Sequence, residues 1–241
     1  MNEATTQEVS VGSDPALVIS HTRPPIAAPE ATLSLVSRHV QQHIGHISNI
    51  LNDAPDSPIP IDLIVVNPVR ERPFYTIITS GMSRQPMSAP PQAADHRFAE
   101  LIMCLPSTWR MTPEEQRREE HAWPLHWLRR IASLPHEQDT WIWEGHTIPN
   151  GDPPIPFAGN TRMSSMMLIR PQTTSKEFWT LHHEGKTIHF FALLPLSGSE
   201  YAFQKKKGPD ALMKLILARK VTALLDVSRK SVTEKPWWRF V

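Results

Sequence analysis

The chain has 241 residues, 40% hydrophobic and 20% charged, with a net charge of +1, a balance that excludes a wholly disordered chain and one built to coat nucleic acid or anionic lipid. Twenty-four prolines against nine glycines predict many stiff loops and few flexible ones. The lone cysteine, Cys104, excludes an intrachain disulfide and a cysteine-based zinc cluster.

Residues 1–30 carry SDP and RPP punctuation with little apolar periodicity and are expected to form a flexible tail, leaving 31–241 as one domain. The opening MNEATTQEVS lacks the basic and apolar regions of a secretory signal, and no window approaches the ~18–20 apolar residues of a membrane span. A cytoplasmic protein without membrane contact is therefore expected. Leu33, Val36, Val40 and Ile44 recur at helical spacing and predict a first helix over about 31–44. The short apolar runs Ile59–Val66, Phe74–Thr79 and Phe98–Leu105, bounded by proline or glycine, predict three strands.

The middle of the chain reads as helical. Thr112–Glu115 offers an N-cap, and Pro124 is expected to open a helix that Pro135 breaks, with Trp127, Leu128, Ile131 and Leu134 on one face. Trp141, Ile142 and Trp143 read as a strand, followed by a long proline-rich loop from His146 to Thr161. Further strands are predicted at Met166–Ile169, Phe178–Leu181 and Ile188–Leu194, and a final helix after Gly208-Pro209-Asp210 carries Leu212, Leu215 and Ile216. The predicted class is α+β, a mixed and largely antiparallel sheet with flanking helices.

Signatures of familiar chemistry are absent: no GxSxG, GxxxxGK[ST], GxGxxG or HExxH occurs in the sequence. No metal or cofactor is expected. His183 and His189 could face each other across a turn at Glu184-Gly185 as a metal pair, but surface histidines are the favoured reading. Cys104, inside LIMCLP, reads as an inert core thiol. Asp62, within an apolar strand, needs a buried partner such as a backbone amide or Arg72. Residues 1–62 hold seven acids and two bases, whereas 205–241 hold ten bases and three acids. Lys205, Lys206 and Lys207 form the only basic triplet, either a solvated loop before a helix or a patch for an acidic partner. Of the eight tryptophans most are expected in the core, while the terminal Trp237-Trp238 pair is either packed or a contact end.

Six strings, in order, resemble the suppressor of fused family over about residues 33–230. They are Ile61-Asp62-Leu63 with Asn67-Pro68 and Glu71-Arg72-Pro73; Thr79-Ser80-Gly81-Met82-Ser83 with Pro86-Met87; and Ala99-Glu100-Leu101 with Leu105-Pro106 and Trp109. Trp123-Pro124 with Leu128 follows, then Gly145-His146-Thr147-Ile148-Pro149 with Pro156-Phe157-Ala158, and Leu194-Pro195-Leu196 with Glu200. The resemblance implies a non-enzymatic binding module. Animal members clamp a short transcription-factor peptide between two domains, and this length fits only the amino-terminal kind. The peptide-binding residues of that clamp cannot be placed here by motif. Single-domain members resemble a bacterial branch for which immunity against toxins has been proposed.

The leading expectation is thus a module that masks a protein partner stoichiometrically, a toxin being the partner the resemblance suggests. A regulatory adaptor without a toxin and a hydrolase using His146 are the alternatives. The candidate contact residues are Trp143, His146 and Phe157, with Phe157 an apolar anchor in the long loop and Trp143 supporting it. Lys205, Lys206 and Lys207 complete the set, and nucleic acid is not an expected partner.

Overall fold

The computed structural model describes residues 29–54 and 56–234. The expected tail, save its last two residues, and the Trp237-Trp238 pair lie outside them. Helix α1 runs Pro29–His43. Val36 and Val40, one turn apart, are fully buried, and the helix ends where Gly45 adopts φ +142°, with Ile44 N and Gly45 N both donating to Val40 O.

Strands β1 (Asn49–Leu51), β2 (Asp62–Val66), β3 (Phe74–Ser80) and β4 (Phe98–Pro106) form an antiparallel meander. Three of these are the expected strands. Strands β5 (Thr147–Pro149), β6 (Met163–Ile169), β7 (Thr180–His183) and β8 (Lys186–Ser197) complete the sheet. The order is β1-β2-β3-β4-β8-β6-β5, with β7 also paired to β8. Among the pairings of the described strands β4–β8 alone is parallel; the others are antiparallel. The mixed, largely antiparallel sheet with helices is the predicted class.

Alternation along β8 separates two layers. Ile188 and Phe190 pack with Val36 and Val40 of α1, and Ala192, Leu194 and Leu196 pack with Leu212 and Ile216 of α4 (Pro209–Ala218). Phe191 and Leu193 point the other way, toward Leu128 and Ile131 of α2 (Glu119–Glu137). Proline 195 is tolerated because β8 has by then left β4, whose register with it ends at Ile102↔Ala192. Residues 224–229 enter the gap, with Leu225 N donating to Cys104 O and Arg229 Nη2 to Pro195 O at 3.0 Å.

Several expectations are corrected. One helix, α2, replaces the helix that Pro124 was to open and Pro135 to end; both prolines lie inside it. Pro124 has no N–H for the Glu120 carbonyl, which instead accepts from Asn160 Nδ2 at 3.0 Å. The segment at Thr112–Glu115 leads only into a short 3-10 turn, Glu115–Arg117. Trp141–Trp143 belongs to no strand. The expected loop from His146 contains strand β5. Phe178 lies in a 3-10 turn, Lys176–Trp179, and is fully buried beneath α1 rather than opening a strand.

Lys205, Lys206 and Lys207 are not a loop: they form the last turn of α3 (Gly198–Lys207), where cations favour the carbonyl end of a helix. The turn at Glu184-Gly185 is as expected, both residues having positive φ. Its register sets His183 opposite Lys186 and His189 opposite Thr180, so the two histidines do not face each other. Among the described residues no helix is long and apolar enough to cross a membrane.

Candidate functional site

Two buried carboxylates organise much of what the sequence strings contain. Glu100 projects from β4 and is fully buried. Its Oε1 accepts from Gly81 N, Ser83 N and Ser83 Oγ, and its Oε2 from Thr79 Oγ1 at 2.6 Å. Burial pushes this carboxyl above the usual range, against the pull of those hydrogen bonds. Gly81 takes φ +148°, and any Cβ there would overlap the Pro60 carbonyl oxygen. Met82 and Met87 beside the turn are fully buried. Thr79–Ser83 and Ala99–Leu101 are thus one structural unit, locked by Glu100.

Glu200 does the same for the other end of the chain. It caps α3 through Ser197 N at 2.9 Å and accepts from Val232 N at 2.8 Å. Arg229 grips it with both terminal nitrogens, at 2.5 and 2.8 Å. Burial opposes its ionisation, but Arg229 and the backbone donors outweigh that and hold it below the usual range. Asp62, too, is satisfied: Arg84 lies 3.5 Å away and Asp53 N donates at 2.9 Å. Of the two partners expected, the backbone amide is the one present; Arg72 instead donates to Phe74 O, Thr76 Oγ1 and Asn67 O. Cys104 is buried and pushed up to about 11 by desolvation, as an inert thiol should be.

One of several surface grooves, of 610 Å3, lies between the 140–148 segment and α3. Leu134, Trp141, Ile148, Tyr201 and Pro209 give it apolar walls, and His146 and Lys205 border it. Two of the sequence candidates therefore meet. His146 stands edge-on to Trp141, ring centres 5.1 Å apart; burial lowers its pKa, opposed by a hydrogen bond to the Trp141 backbone. Burial thus favours the neutral imidazole. Glu144, on the same wall, is held by Arg170 Nε at 2.8 Å. Lys205 Nζ lies 5.7 Å from the Tyr201 ring centre.

The groove is held rigidly. Gly145, at φ +85°, lies so close to α4 that a Cβ would come within 3.3 Å of Pro209 Cβ. Gly145 N donates to Leu168 O and Leu168 N to His146 O, tying the turn to β6. Lys206 and Lys207 are exposed beside Lys205. Between positions 201 and 220, six exposed cations face one exposed acid, Asp210. Among the described residues, no salt bridge engages the three lysines.

The other two candidates are elsewhere. Phe157 is 4% exposed: it stacks on Trp123 at 5.3 Å and tilts against Trp127 at 4.8 Å, anchoring the loop to α2. It is a core residue, and Trp143 does not support it. Trp143 instead stacks on His96 with ring centres 3.5 Å apart and carries the Arg170 guanidinium 5.6 Å from its centre. Tyr201, Trp141 and Pro209 are groove residues that sequence reasoning did not select. A tyrosine four residues before a lysine triplet on a helix was the available signal.

The family model described as suppressor of fused protein matches residues 57–230. No curated protein matches the chain. Among solved structures, a suppressor of fused homologue from Neisseria gonorrhoeae superimposes with a TM-score of 0.62 at 16% identity, covering 86% of this chain and 100% of that one. A chain of the Sufu–Fu complex gives 0.58 at 12% identity, over 87% and 93%. Drosophila Suppressor of Fused gives 0.56 at 13% identity, over 83% of this chain and 51% of its own length. Similarity at these identities is similarity of fold.

Proposed function

The chain belongs to the suppressor of fused family, and on that premise we propose that it is a non-enzymatic protein-binding module. It acts by stoichiometric masking of a partner protein, in the manner of an immunity protein and its toxin. One of the structures it resembles is a complex of Sufu with Fu, which supports the general mode without identifying a partner here.

The observation that carries the reading is the groove where His146 and Lys205 meet beside an exposed basic turn. The distinctive polar residues of the family-like strings, Glu100 and Glu200, are consumed by structural hydrogen bonds. A partner surface therefore has to be sought outside them. Lysines free of carboxylate neighbours speed encounter with an acidic partner and make association salt-dependent.

Copurification from the native cell tests this directly. The wild-type chain retains a protein partner in stoichiometric amount, and a Lys205→Glu, Lys206→Glu, Lys207→Glu variant of unchanged melting temperature loses it. Turnover of a substrate that disappears in His146→Ala would overturn the reading in favour of hydrolysis.

A further inference from the structure

We infer that the groove between Trp141 and α3 receives a short acidic segment of the partner, bearing one aromatic side chain that enters the groove while its carboxylates reach Lys205, Lys206 and Lys207. This rests on the protein-binding reading and narrows it to a linear segment with two recognisable parts.

The shape of the groove calls for the aromatic side chain. Its 610 Å3 leaves room for a large side chain. Trp141, Tyr201 and Pro209 present flat apolar surfaces, and such surfaces favour an aromatic ring in stacked or edge-on contact. The walls are preformed. Gly145 abuts Pro209, Gly208 N donates to Gln204 O at 2.8 Å, and α3 begins in a complete capping box. Little ordering is left for binding to oppose.

Charge selects the flanking residues. The acid that lines the groove, Glu144, is neutralised by Arg170. Lys205 is the cation on the rim, and Lys206 and Lys207 continue from it at the end of α3, with Lys214 exposed on α4. None of the four has a carboxylate partner among the described residues. A folded partner with a flat acidic face would use the lysines but leave the groove empty. A linear segment uses both.

Fluorescence anisotropy of the full chain with three labelled synthetic probes tests the inference. The first is a peptide of glutamates flanking one central tryptophan, the second has alanine at its centre, and the third is a single-stranded DNA of the same charge. The tryptophan peptide is expected to bind at low salt, and both the alanine peptide and Tyr201→Ala to weaken binding about tenfold or more. Lys205→Gln, at an exposed position, should weaken it while leaving the chain folded, which keeps the test valid should Tyr201→Ala melt early. Equal binding of the tryptophan and alanine peptides, or tighter binding of the DNA, would overturn the inference. So would no binding of any probe. A native partner that is captured but not displaced by the tryptophan peptide also refutes it, with the masking function intact. Peptide binding without any captured partner would instead sink the masking function.

Discussion

Glu100 closes the turn that Gly81 opens: its Oε1 accepts from Gly81 N and from Ser83 N, each at 3.0 Å, inside a fully buried pocket. A side chain at position 81 would overlap the Pro60 carbonyl, and removing the carboxylate would strand two buried N–H groups at about 1–3 kcal/mol each. Gly81→Ala and Glu100→Ala should each lower stability by roughly 3 kcal/mol or more in urea denaturation. Wild-type midpoints for both variants would show the lock to be dispensable.

The Pro124 helix makes a sharper case. Asn160 Nδ2 serves the Glu120 carbonyl that Pro124 cannot. Asn160→Ala should cost about 0.5–1 kcal/mol in the wild-type background. In a Pro124→Ala background, where the helix supplies its own N–H, the same change should cost almost nothing. A double-mutant cycle with no coupling refutes the compensation.

Acid should weaken the fold well before its carboxylates titrate. His189 is pushed down to about 4, first by burial, with the Asp95 carbonyl opposing and Arg170 adding repulsion. His39, its ring between Phe178 and Phe190 at 4.9 and 5.1 Å, is lowered by the same cause. Between the ordinary value of 6.5 and about 4, the unfolded chain binds a proton that folded His189 refuses. Stability therefore falls as pH drops through that window. Glu200, held low, adds to the loss at still lower pH; Glu100, held high, acts in the opposite sense. Melting temperature should decline from pH 7 toward pH 4, less steeply in His189→Gln, and a flat profile from 7 to 5 contradicts this account.

Cys104 should be almost unreactive toward Ellman's reagent at pH 8 in the folded protein and react at once in guanidinium. Its thiol is buried and its Sγ lies 3.3 Å from Thr173 Oγ1, so thiolate forms only when the strand opens. Rapid labelling of the native state would contradict the packing around β4.

Patterns of local origin were legible in the sequence. Ile77, Leu101 and Val65 announced their strands because short apolar runs between prolines have few other uses. Pairings across distance were not. Pro124 and Pro135 misled because a helix interior normally rejects proline, and Asn160 lies forty residues beyond Glu120, where no local rule looks. Phe157 stood in a proline-rich segment and looked exposed; Trp123 covers it. For Asp62 a backbone amide or Arg72 was expected; the amide is Asp53 N, but the arginine that folding brings is Arg84. Of the candidate site, His146 and Lys205 were chosen singly from the sequence, and that they border one groove depends on Gly145 meeting Pro209, which no spacing reveals.

The parallel seam between β4 and β8 should be the slow step when this chain folds. Residues 98–102 find residues 188–192 there, whereas β1 to β4 pair with sequence neighbours as they emerge. The amino-terminal meander can form by hairpin steps, but it exposes the β4 edge until the distant strand arrives. Closing so wide a loop is slow, and an open edge invites pairing with another chain in the meantime. Speed of refolding, and loss to aggregation during it, are thus expected to depend on when β8 reaches β4, in the middle of the sheet.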